Sequence, residues 1–149
     1  MNSVLFMRNF PEHSHTVPCI ALGMLQWGTT LMDQYIINGS KGVLNENEAE
    51  EIYREFLDRG IVLFDTAEGY GGGTSEKRLG RLMRATDSSK NVLIMTKFLP
   101  VPWRWTHKHF ELALRASNNR MGISECPIYL LHRLVRYVMY KYCRKIMEL

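Results

Sequence analysis

Four ionisable side chains of this 149-residue chain, Asp65, Tyr70, Lys97 and His132, could together hand a proton to a carbonyl oxygen. A tyrosine in water holds its proton to about pH 10. A lysine cation close by favours the anion, and a carboxylate paired with that lysine keeps it charged and oriented. A histidine opposite the tyrosine can hydrogen-bond the substrate carbonyl. The set describes a tyrosine that protonates a carbonyl oxygen as hydride reaches its carbon. Taken singly, each residue has an ordinary use: a loop-ordering acid, a solvated lysine, a structural histidine, a packed lid tyrosine. What favours the chemical reading is that three successive strand ends deliver Asp, Lys and His.

The elements that must position these residues are legible in the apolar pattern. Asp65 closes Ile61-Val62-Leu63-Phe64, Lys97 follows Val92-Leu93-Ile94-Met95, and His132 follows Ile128-Tyr129-Leu130-Leu131. Short, fully apolar runs after helices read as buried parallel strands, here over 61–64, 92–96 and 128–131. A first strand runs into a loop within 20–28. A long irregular connection follows it, with turn signals at Asn38-Gly39 and Lys41-Gly42.

Three helices alternate with these strands. Asn45 and Glu48 form a capping-box start for a helix over 45–59, whose apolar stripe is Ala49, Ile52, Tyr53, Phe56 and Leu57 and whose stop is Gly60. Ser75 or Thr74 is expected to cap a helix over 75–85 carrying Leu79, Leu82 and Met83. Thr106 caps a third over 106–120, with Phe110, Ala113, Leu114 and Ser117 inward and Met121-Gly122 at its end. The alternation defines an α/β fold with a parallel sheet and right-handed crossovers. In such sheets chemistry gathers at the C-terminal strand ends. Gly69 and Gly71–Gly73 fit neither GxGxxG nor a GK[ST] phosphate loop. They read instead as the means by which the loop turns tightly around Tyr70.

Composition excludes several classes. No apolar run approaches the ~18 residues of a membrane span, and the N-terminal apolar stretch is too short for a secretory signal. That leaves a cytoplasmic location as the expectation, with organelle targeting open. Cys19, Cys126 and Cys143 are few, odd in number and far apart, which fits free thiols in a reducing compartment. No cysteine pair has zinc-ligand spacing, and His13 and His15, which could bind a metal together, read as polar linker within a leader at 1–17. The whole net charge of +4 sits in 133–149, where five lysines and arginines face one glutamate. There Val135, Val138, Met139, Tyr142 and Ile146 recur at helical spacing, so the tail can form a basic amphipathic helix. It either covers apolar surface of the sheet or touches an anionic membrane or nucleic acid. No specific nucleic-acid partner is expected. An exposed sheet edge makes self-association the expected macromolecular contact.

The segments FDTAEGYGGGTSEKRLG, VLIMTKF and ALRASNNRMGISECPIYLLH resemble the aldo-keto reductase family, and LGMLQWG resembles its first-strand segment. The likeness spans roughly 18–132, and WRWTHKHFELALRAS looks most like plant plastid and microbial oxidoreductase branches. The resemblance implies a TIM barrel and NAD(P)H-dependent reduction of a small-molecule aldehyde or ketone. It implies Asp65, Tyr70, Lys97 and His132 as the catalytic tetrad, with Tyr70 the proton donor. It also implies NADP(H) contacts at Gly23, Met24, Leu25 and Asp65, although Met24-Leu25 stands where the family usually has Thr-Trp. A TIM barrel takes about 250 residues, so the expectation is parallel (β/α) units truncated to about the first four strands, with 133–149 unlike the family. The alternative function is a non-catalytic half-barrel lacking the cofactor-binding half.

Overall fold

The computed structural model describes residues 7–9, 16–28, 44–101, 103–104 and 106–132. His13, His15, the connection before Leu44, and the tail with Cys143 lie outside them. Two three-residue strands, β1 (Met7–Asn9) and β2 (Thr16–Pro18), pair antiparallel. Strands this short leave no alternation to read, which is why the segment reads as a patternless leader.

The main sheet contains β3 (Ala21–Gly23), β4 (Leu63–Asp65), β5 (Leu93–Phe98) and β6 (Ile128–Leu131), paired in that order and all parallel. Helices α1 (Glu46–Asp58), α2 (Thr74–Ala85) and α3 (His107–Met121) alternate with the strands as the sequence predicts. Two strand limits differ from expectation. β4 starts two residues later than the apolar run and takes in Asp65, and β5 extends through Lys97 to Phe98. Both polar residues therefore lie within the hydrogen-bonded ladder, where their direction is fixed, rather than in the loops beyond it.

Local chemistry explains the helix ends. At α1, Asn45 Oδ1 accepts from Glu48 N and Glu48 Oε2 from Asn45 N, each at 2.9 Å, a reciprocal capping box. Thr106 caps α3 with His109 as its partner. Helix α2 departs from the expected pattern. Its N-cap is Gly73, without a side-chain cap, and Thr74 already belongs to the helix. Ser75 is buried instead, its hydroxyl bonding to Met24 O and Thr66 Oγ1 at 2.9 Å each. The glycine turn leads straight into the helix, leaving Ser75 free to tie α2 to the sheet.

Parallel register puts Leu22, Phe64 and Ile94 in one row and Gly23, Asp65, Met95 and Ile128 in the next, on opposite faces. Phe64, Ile94, Thr96 and Phe98 face the helices. The core gathers there around Tyr53, whose ring stacks on Phe64 with centroids 4.7 Å apart and whose hydroxyl bonds Ser88 Oγ at 2.9 Å. Helices α2 and α3 cross closely because residue 80 is glycine: a Cβ there would lie 2.3 Å from Met121 O. The run 128–131, expected to be buried, is half-buried with Leu130 exposed. Among the described residues β6 has one neighbouring strand, β5, and burial of a full apolar run takes a neighbour on each side.

Candidate active site

Asp65 ends β4 and Lys97 stands two positions beyond its register partner Met95 on β5, so both side chains rise from the same sheet face. The Lys97 ammonium pairs with Asp65 Oδ1 and donates to Thr66 O at 2.9 Å and to Tyr70 Oη at 3.3 Å. Three acceptors match the three protons of an ammonium, which leaves it one orientation. Its nitrogen also stands 4.9 Å from the centre of the Tyr70 ring. Both charged side chains are largely shielded, at 13% and 27% exposure, so their attraction is stronger than in bulk water.

Tyr70 opens a 3-10 turn, Tyr70–Gly73, anchored by Tyr70 N to Ala67 O at 3.1 Å. Gly71, Gly72 and Gly73 all have positive φ, between 58° and 90°. A Cβ on Gly71 would fall 1.1 Å from Gly28 O, so backbone meets backbone where this turn rests on the loop after β3. Gly69 has ordinary right-handed helical angles, unlike the expectation for it. His132 follows β6 and continues its ladder, His132 N bonding Phe98 O at 2.8 Å. Its imidazole meets the Tyr70 ring edge-on, with centroids 5.1 Å apart and planes at 81°. All four residues thus converge on the C-terminal rim of the sheet.

The segment after β3 divides. Gly23, the register partner of Asp65, and Leu25 are exposed. Met24 is fully buried in the core, with its N–H on Asp65 O and its carbonyl taken by Ser75. Among the described residues, a Cβ on Gly23 would meet nothing within 4 Å, so they leave open space beside the carboxylate. A shallow cleft of about 600 Å³ lies at the other end of the strands, lined among others by Lys90, Val92, Glu125 and Pro127. It contains none of the four rim residues.

Sequence reasoning missed a second layer. Glu68 accepts from Leu99 N at 2.7 Å and Arg104 Nη2 at 2.9 Å. Glu76, with no exposed surface, accepts from Thr96 Oγ1 and Arg120 Nε at 2.6 Å each. A signal for Glu76 existed: it lies three, four and seven residues before Leu79, Gly80 and Met83, on the buried stripe of α2. An acid on an inward stripe implies a buried partner. Glu68 sits in a loop and carries no such periodic mark.

The model of the aldo/keto reductase family matches residues 20–149, and the chain belongs to that family of oxidoreductases. Among curated proteins, a chloroplastic pyridoxal reductase of Arabidopsis thaliana is 32% identical over 125 residues, covering 78% of this chain and 33% of that protein. An uncharacterized oxidoreductase of Mycobacterium tuberculosis is 36% identical over 86 residues, 57% of this chain and 25% of its own length. An aldo-keto reductase structure from Pseudomonas aeruginosa superposes with a TM-score of 0.73 at 20% identity, covering 97% of this chain and 56% of its own. One from Klebsiella pneumoniae, solved with NADPH, gives 0.62 at 23% identity, with 89% and 42% covered. The structural likeness establishes the fold, parallel (β/α) units of the family's barrel. This chain spans a quarter to a third of these curated relatives and about half of these solved chains. Among the described residues, no helix is long and apolar enough to cross a membrane, and no three His, Cys, Asp or Glu side chains group as metal ligands.

Proposed function

We propose that residues 18–132 carry the proton-donating half of an NAD(P)H-dependent reductase of small aldehydes and ketones. The observation behind this reading is a single ammonium, Lys97, held between the Asp65 carboxylate and the Tyr70 hydroxyl on the strand-end rim. Tyr70 gives its hydroxyl proton to the carbonyl oxygen of the substrate. Lys97 stabilises the tyrosinate that forms, and Asp65 keeps the lysine charged and aimed. His132, edge-on to the Tyr70 ring, orients the carbonyl.

The residues present fit one end of a dinucleotide. Open space at Gly23 beside Asp65 suits the flat nicotinamide ring, with exposed Leu25 as its neighbour. Met24 supports that segment from within the core. A reduced nicotinamide supplies the hydride when bound. NADP(H) is the form proposed, in keeping with the NADPH that the Klebsiella protein holds. The described residues include no glycine-rich phosphate loop, so the grip on the rest of the dinucleotide is assigned to the barrel's other half.

Titrating the chain with NADPH while following tryptophan fluorescence tests the cofactor site. With 4-nitrobenzaldehyde as substrate, Tyr70→Phe should cut reduction by about a hundredfold or more, the usual contribution of a general acid, with NADPH binding nearly unchanged. Equal turnover by both proteins would overturn the role of Tyr70. A second reading is that these (β/α) units, which match 33% of a curated relative and 56% of a solved chain, do not turn over by themselves. It expects no quenching by NADPH and no turnover from either protein.

A further inference from the structure

Lys97 lies between two fastening points on its own strand and the residues just after it. Thr96, one residue before, points to the helix side and donates to Glu76. Leu99, two residues after, donates its backbone N–H to Glu68. Both carboxylates come from the short segment that carries Tyr70: Glu68 lies two residues before it and Glu76 six after. Each is also bound by an arginine from further along the chain, Glu68 by Arg104 at 2.9 Å and Glu76 by Arg120 at 2.6 Å. Arg104 in turn lies over the Phe98 ring, 4.8 Å from its centre. Arg120 packs on the Tyr70 turn itself, since a Cβ on Gly73 would lie 2.6 Å from its Cδ.

We infer that Glu68 and Glu76 are positioning residues that clamp the Tyr70 turn to β5 from front and back, fixing where the Tyr70 hydroxyl meets the Lys97 ammonium. The inference rests on the proposed pairing of Tyr70 with Lys97 as the working site. Both carboxylates are nearly inaccessible, with side-chain exposures of 11% and 0%. Charges that far from water persist when fully paired and hydrogen-bonded. Each therefore sets a distance more firmly than a surface pair could. The turn needs such fastening because three consecutive glycines give it no side-chain packing of its own. The Lys97–Tyr70 contact at 3.3 Å is the longest of the ammonium's bonds, so it contributes little to holding the turn.

Hydrogen exchange of the full chain, read by mass spectrometry on peptides covering 66–76 and 46–58, tests this without requiring turnover. Thr96→Val removes the back hydrogen bond with almost no change in shape. Glu68→Ala removes the front one, and Glu68→Gln retains an oxygen for Leu99 N–H. Loss of a charge-assisted bond should speed exchange of the 66–76 peptide about tenfold in Thr96→Val and Glu68→Ala, with α1 unchanged. Glu68→Gln should recover part of the protection. Lys97→Met should leave the turn close to the parent value, because the clamps hold it independently. If exchange rises equally in both peptides, or if Lys97→Met loosens the turn more than either clamp variant, the positioning role is wrong. Failure of the reductase reading in the NADPH and Tyr70→Phe experiments leaves these exchange rates where they are, so the two ideas fail separately.

Discussion

On the helix side of the sheet, Phe64, Ile94, Thr96 and Phe98 on the two inner strands are each at most 3% exposed, while Leu22, Tyr129 and Leu131 on the outer strands are half-buried. On the other side Gly23 and Leu130 are exposed and Met95 and Ile128 are half-buried, with Leu63 the buried exception. Adjacent residues of one strand therefore serve different ends. Thr96 belongs to a sealed layer of helix and sheet, and Lys97 to an open rim. The difference teaches where stability and chemistry reside. The first face is sealed at its centre, and the second presents a polar constellation set in apolar surface that the described elements leave partly uncovered.

Substitutions on the sealed face should cost the most. Phe64→Ala removes a fully buried ring stacked on Tyr53 and should lose about 3–5 kcal/mol. That is a large share of the ~5–15 kcal/mol typical of a whole domain. Urea unfolding followed by circular dichroism measures it. A loss below that of Leu130→Ser on the open face would erase the contrast between the faces. Gly80→Ala comes second, at about 1–3 kcal/mol for overpacking. Its methyl would meet the Met121 backbone carbonyl, which cannot swing aside as a side chain could.

On the open face the expected effect moves from stability to association. Leu130 is 40% exposed on β6, the last strand of the described sheet. Leu130→Ser should change stability by under about 0.5 kcal/mol. It should also lower the average mass seen in sedimentation velocity, since an apolar edge strand invites pairing with a second copy. An unchanged mass distribution would mean that this face does not drive self-association.

How much of this was legible in the sequence follows the same division. The three helices, their parallel strands and the rim position of Asp65, Tyr70, Lys97 and His132 follow from apolar period and capping residues, which are local signals. The paired leader strands were not legible, because six residues in two pieces carry no period. The cap of α2 was misassigned because Ser75 has the right type for a cap but is recruited by Met24 O and Thr66, contacts far away in sequence. The same is true of Met24. It lies in the segment expected to touch cofactor, yet its side chain fills the core. Its chain neighbours Gly23 and Leu25 are exposed, and one-dimensional pattern does not separate those directions just after a three-residue strand. The Glu68 and Glu76 clamps depend on pairings with Arg104 and Arg120, 36 and 44 residues away, and only folding brings those partners together.

A weak effect is expected at the outer margin of the sealed face, where Glu46 joins α1 to α2. Arg78 Nη2 donates to Glu46 Oε1 at 2.9 Å, and Arg81 pairs with Oε2. Arg78 is 9% exposed along its side chain, whereas Glu46 is 52% exposed. Burial pushes the Glu46 carboxyl up, but the hydrogen bonds from Arg81 and Arg78 and their charges together outweigh it and hold the group below its ordinary range. A carboxyl whose folded value is depressed adds stability at pH above its unfolded value and loses it as pH falls through the folded one. The loss on Glu46→Gln should therefore be constant from neutral pH down to about pH 5 and shrink below that. Solvent exposure of the carboxylate limits it to about 1 kcal/mol or less. Arg78 makes the outcome informative, because its Nε and Nη1 are buried with no partner among the described residues. If glutamine still satisfies Nη2 as a neutral acceptor, the pH-dependent part vanishes while most of the contact survives. Melting curves of both proteins between pH 3 and 7 separate the two contributions. A gap between them that stays constant down to the lowest pH would show that the charge of Glu46 contributes nothing to the joint between the helices.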